Sequence, residues 1–294
     1  MVELDALATL DSLIWLQTGE EVAQRFRFNQ STVSRHQRKC SELFGITLRK
    51  IAREWHVVGD TTLLNLERRV HQQARFQGQR PLRLEATYWS GPLLCTPPPP
   101  GWLLGLCNIV GIARNLQLVR ERIVDAWLCG LPDLPEPEDP DLTAIVLSTM
   151  PVHCTVAEGH PLLLRHPLEL EHLADFPSLA LPEGAYPKVE QGLKAMGLWS
   201  TPVRMGRYRR DQWEGLTESA ATIGYATALS LELCRDPSGP GQVILPITLP
   251  FHSGEALVVR REFATSPQIQ ELIALVRTRL QPYCERHPEI KLVD

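Results

Sequence analysis

Two hundred and ninety-four residues, 44% hydrophobic and 22% charged, suffice for a sizeable core and more than one domain, and they exclude collagen-like, disordered and small disulfide-stapled chains. The net charge of −4 argues against a partner held by phosphate contacts only until it is divided along the chain. The first 80 residues carry twelve Lys or Arg against nine Asp or Glu, and Val22 to Arg53 holds eight basic residues against Glu42 alone, a local +7. A concentration of this kind marks either a nucleic-acid reader or a solvated helix face.

From the N-terminus, Leu7, Leu10, Leu13, Ile14 and Leu16 recur at three- and four-residue intervals and predict an amphipathic helix ending near Thr18-Gly19. Glu20 to Phe26 predicts a second helix that buries Val22, Ala23 and Phe26. Arg27-Phe28-Asn29 makes a tight connection, with Asn29 suited to cap a third helix, and the two short helices form a helix-turn-helix. At about 100° per residue, the third helix places Val33, Cys40 and Phe44 on one side and Ser31, Ser34, Arg35, Arg38 and Glu42 on the other. Hydroxyls and guanidinium groups on exposed first turns are what a major-groove reader needs.

The stretch Val22-Ala23-Gln24-Arg25-Phe26-Arg27-Phe28-Asn29-Gln30-Ser31-Thr32-Val33-Ser34-Arg35, continuing to Leu43-Phe44-Gly45, resembles the winged helix-turn-helix of LysR-type transcriptional regulators. The resemblance implies an N-terminal all-α winged helix-turn-helix domain over residues 1–60 whose partner is double-stranded operator DNA. Gln30, Ser31, Thr32, Ser34 and Arg35 would then read from the recognition helix, with Arg38 on phosphate. In the wing segment, Leu48 to Val57, Arg49 and Arg53 carry charge suited to backbone phosphate or the minor groove. That segment departs from the family pattern in lacking an aromatic residue after Leu48, and the connection between the first two helices is shorter than usual.

Thr61 to Gln77 predicts a helix about 25 Å long, with Leu63, Leu66, Val70 and Ala74 at heptad-like spacing. So narrow a stripe wants a partner, either a second copy or the rest of its own chain. In the family resembled, the corresponding linker helix, residues 61–80 here, pairs with its twofold mate, which implies a homodimer or homotetramer.

From Pro81 onward short strands alternate with helices, the order of an α/β domain. Leu82 to Trp89 predicts an alternating strand, and Gly111 to Arg114 the end of another. A helix over Leu116 to Ile123 feeds a strand at Asp125 to Cys129, and strands return at Leu142 to Leu147 and Val152 to Val156. Val203 to Gly206 reads as a strand, Asp211 to Ala221 as a helix, Leu257 to Arg260 as a strand and Pro267 to Leu280 as the closing helix. Pro97 to Pro100 cannot sit inside a helix, so the helix that the family carries there is expected to be shortened.

Ala157-Glu158-Gly159-His160-Pro161 and Thr222-Ile223-Gly224-Tyr225-Ala226-Thr227-Ala228-Leu229 extend the resemblance over nearly the whole chain. It implies a periplasmic-binding-protein-like α/β effector domain over 81–294, with subdomain I about 81–148 and 247–294 and subdomain II about 149–246. A small-molecule effector of unknown identity would lie in the cleft between them. Ligands of α/β domains bind at the carboxyl ends of strands, which points to Ser90, Asn115 and Gly224 as effector contacts.

Met1 is followed by Glu3 and Asp5 rather than by a basic leader, and the apolar run Trp102 to Ala113 is too short to span a bilayer. The expected location is therefore the cytoplasm, with no membrane partner. The seven cysteines are scattered and mostly embedded in apolar sequence, which suits reduced, buried thiols. Zinc-type spacing is missing, and neighbouring His153 and Cys154 would face opposite sides of a strand, so neither a metal nor a resident cofactor is expected. The same two-lobed architecture serves enzymes and binding proteins, but the sequence holds no G-x-S-x-G, P-loop or H-E-x-x-H, and no catalytic residue is assigned.

Overall fold

A computed structural model describes residues 3–51, 53–179, 181–198, 205–208, 221–233 and 242–293. The first predicted helix is α1 (Leu4–Leu16), and every residue from Ala6 to Leu16 is buried. A helix covered on all sides must find partners on all sides. Part of that cover is the reader itself, α2 (Gly19–Phe26) and α3 (Gln30–Phe44), through Val22, Val33 and Cys40. The remainder comes from the larger domain, since Leu118, Trp127 and Val258 belong to the same apolar cluster.

Thr18 caps α2 by accepting from the backbone N–H of Glu21 at 3.2 Å. Asn29, expected to cap α3, occupies the N-cap position but makes no side-chain cap bond; the first-turn N–H groups of Thr32 and Val33 bond to its carbonyl instead. Gly45 ends α3 in the left-handed region, φ +63°, and the chain forms the wing hairpin β1 (Thr47–Ile51) and β2 (Glu54–Val58), with Arg49 opposite His56. The linker helix follows as α4 (Thr62–Phe76), within the predicted bounds.

The larger domain begins with β3 (Leu82–Ala86), α5 (Ser90–Leu94), β4 (Trp102–Leu104), α6 (Ile112–Arg120), β5 (Ala126–Gly130) and β6 (Leu142–Val146). It continues through β7 (Ser148–Ala157), α7 (Pro187–Ala195), β8 (Gly224–Ala226), α8 (Ala228–Leu233), β9 (Gln242–Ser253), β10 (Glu255–Arg260), α9 (Pro267–Arg286) and β11 (Lys291–Leu292). One sheet has the order β4-β3-β5-β10-β6, with β3 parallel to β4 and β5, and β10 antiparallel to β5 and β6. In the other, β7 pairs with β8, β9 and β11, all antiparallel. This is a two-subdomain α/β architecture behind an N-terminal helical region.

One expectation fails in the first half of this domain. Gly111 to Arg114 does not end a strand: Gly111 adopts φ +83° and Ile112 opens α6, while the strand stands earlier, at Trp102–Leu104. The proline run stops α5 after one turn and leaves the apolar residues beyond it extended beside β3. The strand expected from the alternation over Leu82 to Trp89 is present as the shorter β3, and all five of its residues are buried, Arg83 and Glu85 included. Its Arg83 and Glu85 are covered by α1, through Asp11 and Trp15. The strand expected at Val203 to Gly206 and the helix expected at Asp211 to Ala221 lie largely outside the described residues.

Candidate DNA-binding face and effector cleft

The structure leaves Gln30, Ser31, Ser34, Arg35 and Arg38 exposed and Thr32 half-buried on α3, and it exposes Arg49 and Arg53 on the wing. Arg53 sits at the hairpin turn with φ +69°. Within the recognition helix the polar groups interact only weakly, Arg35 Nη2 lying 3.5 Å from Thr32 Oγ1 and Ser34 Oγ 3.3 Å from the Gln30 carbonyl. They remain available to a groove. Not all of the local +7 serves this face. The Arg25 guanidinium donates to the carbonyls of Leu104 and Gly105, and Lys39 pairs with Glu3 at 3.2 Å.

The reader is clamped to the larger domain by contacts that no periodicity announces. Trp15 Nε1 donates to Glu85 Oε2 at 2.5 Å, and the other oxygen of that carboxylate accepts from the N–H groups of Ala86 and Cys107. Burial pushes the Glu85 carboxyl up, against the pull of these bonds. Arg207 bonds both oxygens of Glu54 in the wing, at 2.7 and 3.2 Å, and donates to the Trp15 carbonyl at 3.0 Å. Arg114 reaches the carbonyl of Trp55 at 2.9 Å. Separations of 59 to 192 residues between the reader and its partners explain why local pattern does not find them.

The linker helix divides into two faces. Leu64, Arg68, His71, Gln72 and Arg75 turn inward. Arg68 Nε meets Asp11 at 2.8 Å, and Arg75 makes two 2.8 Å bonds to the Asp125 carboxylate. On the opposite face Leu63, Leu66 and Val70 are 64%, 58% and 52% exposed. Ala74, the last residue of the stripe, is only 8% exposed; it borders with Val70 and Leu4 a hollow of about 490 Å³.

Between the two sheets lies a cavity of about 170 Å³ whose wall includes Tyr88, Trp89, Tyr186, Tyr208, Tyr225 and Phe251. Tyr88 and Tyr208 stack at 4.0 Å with their planes 13° apart. None of the three residues expected to touch an effector forms this wall. Ser90 is fully buried, and its Oγ donates to Glu255 Oε2 at 2.5 Å. Asn115 is buried in α6, where its amide donates to the Gly111 carbonyl at 2.9 Å. Gly224 backs onto Thr155, whose Oγ1 would lie 2.8 Å from an added Cβ. Ser90 and Gly224 lie next to the cavity all the same, since their neighbours Tyr88, Trp89, Tyr225 and Ala226 line it. Asn115 stands within α6, and the strand expected before it at Gly111 to Arg114 is not formed.

Glu255 is a buried carboxyl beside this wall, held by Ser90 Oγ and by Trp89 Nε1 at 3.0 Å. Burial raises its carboxyl from an ordinary 4.5 to about 7, although both hydrogen bonds pull the other way. A folded-state value above the unfolded one means that the fold binds the proton more tightly. The contribution of this group to stability is therefore full below pH 4.5 and lost as pH rises to about 7. On the order of 3 kcal/mol is involved. Thermal unfolding of the wild type should lose more between pH 5 and pH 8 than that of Glu255→Gln; equal losses would remove Glu255 as the titrating group.

The buried cysteines among the described residues are poor nucleophiles by the same physics. Burial pushes the thiols of Cys40, Cys95 and Cys154 up to about 12, and those of Cys107 and Cys129 rise as well. Among the described residues no cluster of three or more His, Cys, Asp or Glu side chains fits a metal ion, and no helix is long and apolar enough to cross a membrane.

A helical reader with a basic wing, a helix with an exposed apolar stripe and two sheets flanking a cleft define the architecture of a one-chain transcriptional regulator. The chain belongs to the LysR family: the model of the LysR substrate binding domain matches residues 110–281. Its fold is similar to that of a full-length cysteine variant of OxyR from Pseudomonas aeruginosa, at 18% identity over 94% of this chain and 95% of that one, with a TM-score of 0.58. It is also similar to full-length CbnR in complex with its target DNA, at 15% identity over 94% and 99% of the two chains and a TM-score of 0.53. Full-length BenM is a further match, at 18% identity over 96% and 97%, with a TM-score of 0.51. No curated protein matches the chain by sequence.

Proposed function

We propose that this chain is a sequence-specific DNA-binding regulator that works in the cytoplasm as a homodimer, or a tetramer built from two dimers, and takes a small-molecule effector in the cleft between its sheets. Residues 1–60 are the reader, 61–80 the dimerisation helix and 81–294 the effector domain, divided at about 148 and 247. The observation that carries this reading is the exposed face of α3, hydroxyls and guanidinium groups on its first turns, beside an exposed basic wing. Gln30, Ser31, Thr32, Ser34 and Arg35 address base edges, while Arg38, Arg49 and Arg53 address phosphates or the minor groove. CbnR, with a similar fold, was solved on its target DNA, which supports a DNA partner here. The stripe of Leu63, Leu66 and Val70 pairs two readers at the spacing of two half-sites, with Ala74 at its end.

The test begins with a duplex selected from a random-sequence pool by the purified protein. Arg35→Ala is expected to bind that duplex roughly 5- to 150-fold more weakly at fixed salt, the worth of one good base contact. Its circular dichroism and unfolding midpoint should match the wild type, because Arg35 is exposed. Undiminished affinity in a gel-shift titration would overturn the assignment of α3 as the reading helix.

A further inference from the structure

The wall of the cleft says what it would hold. Six aromatic rings and several aliphatic side chains line it, and among the described residues no Lys, Arg or His does. Four polar residues of the wall are engaged within the chain: Trp89 Nε1 on Glu255, the Tyr225 hydroxyl on the Leu198 carbonyl at 2.8 Å, and Thr227 and Ser230 on one another. An incoming carboxylate would need donors or a countercharge to replace its water.

The places that usually offer them are already filled by the chain's own acids. At the start of α7 the N–H groups of Lys188 and Val189, which the helix leaves without internal acceptors, bond to the carboxylate of Asp133 at 2.8 and 3.2 Å. On the other side of the cleft Ser90 Oγ and Trp89 Nε1 are held by Glu255. An anionic ligand would thus face a largely apolar wall with two buried carboxylates behind it. The volume, about 170 Å³, is close to the roughly 150 Å³ apolar cavity that accepts a benzene ring.

We propose that the effector of this cleft is an uncharged, largely apolar molecule of about one ring, seated among Tyr88, Tyr186, Tyr208, Tyr225 and Phe251. The inference rests on the cleft being the effector site and adds the chemistry of the ligand. It is tested with one ring in three charge states, toluene, benzoate and benzylamine at pH 7.5, by calorimetric titration of the full chain. Toluene is expected to bind saturably, at least tenfold more tightly than either charged analogue. Ala226→Phe, which fills the cavity from β8, should abolish that binding. Leu181→Arg, which brings a cation to the wall at a half-buried position, should turn the preference toward benzoate. The Arg variant keeps the test open if the Phe variant does not fold.

Benzoate or benzylamine binding as tightly as toluene to the wild type would overturn the ligand class and leave the cleft as the effector site. Toluene binding unchanged in both variants would overturn the site itself. No binding by any of the three would overturn the ligand class and count against the cleft as well.

Discussion

Replacing Asp125 with Ala is expected to remove about 3–5 kcal/mol of folding stability, the cost of leaving a buried cation without its partner. The carboxylate is buried between the linker helix and the larger domain. Its Oδ2 accepts from Arg75 Nε at 2.8 Å and from the Arg83 N–H at 2.9 Å; its Oδ1 accepts from Arg75 Nη2 at 2.8 Å and Gln72 Nε2 at 2.9 Å. Four donors lose their acceptor in the variant, and one is the guanidinium of Arg75, only 4% exposed. At roughly 2–4 °C per kcal/mol for a domain of this size, the thermal midpoint should fall by about 6–20 °C. The double variant Asp125→Leu with Arg75→Leu should recover part of that loss, because it removes the uncompensated charge and leaves apolar volume behind. A single variant that unfolds within a degree of the wild type would show that α4 is held by other contacts.

Leu66→Asp combined with Val70→Asp should abolish dimerisation and, with it, tight operator binding. In a twofold pair each side chain is buried twice, and about 1.5–3 kcal/mol accompanies burial of a Leu or Val. Four such positions, replaced by charges that would face one another, raise the dimer dissociation constant at least about a thousandfold by the same scale. The fold of the protomer should survive, since both residues are more than half exposed on the single chain and their neighbours Leu64 and Arg68 make the internal contacts. Sedimentation of the variant across micromolar concentrations measures the outcome; a species still fully dimeric would remove the α4 stripe from the interface. Binding to a half-site duplex is expected to persist at a level set by one reader.

Both predictions concern one helix, and they show how unevenly its roles are written in the sequence. The outward stripe is visible as a three- and four-residue recurrence, because residues at that spacing share one face of a helix. The inward face is not. Arg68, Gln72 and Arg75 would pass for solvent residues, and only their partners, Asp11 and Asp125, 50 or more residues away, make them internal. Strand β3 repeats the lesson: Leu-Arg-Leu-Glu-Ala alternates as though one side were wet, yet Trp15 of α1 covers Glu85.

The sequence by itself determined the reader: its three helices, the concentration of basic charge, the side of α3 that faces out and the apolar stripe on α4 all follow from interactions within a few turns. Tertiary structure decided what the reader leans on and what the cleft is made of. The clamp of Arg207 on Glu54 and Trp15 joins segments 153 and 192 residues apart. The cleft wall takes its rings from β8, β9, the turn after β3, the approach to α7 and the segment that carries Tyr208. No periodicity runs across such distances, so the residues that meet there are named only when the chain has folded and burial has selected which hydroxyls, carboxylates and rings face one another.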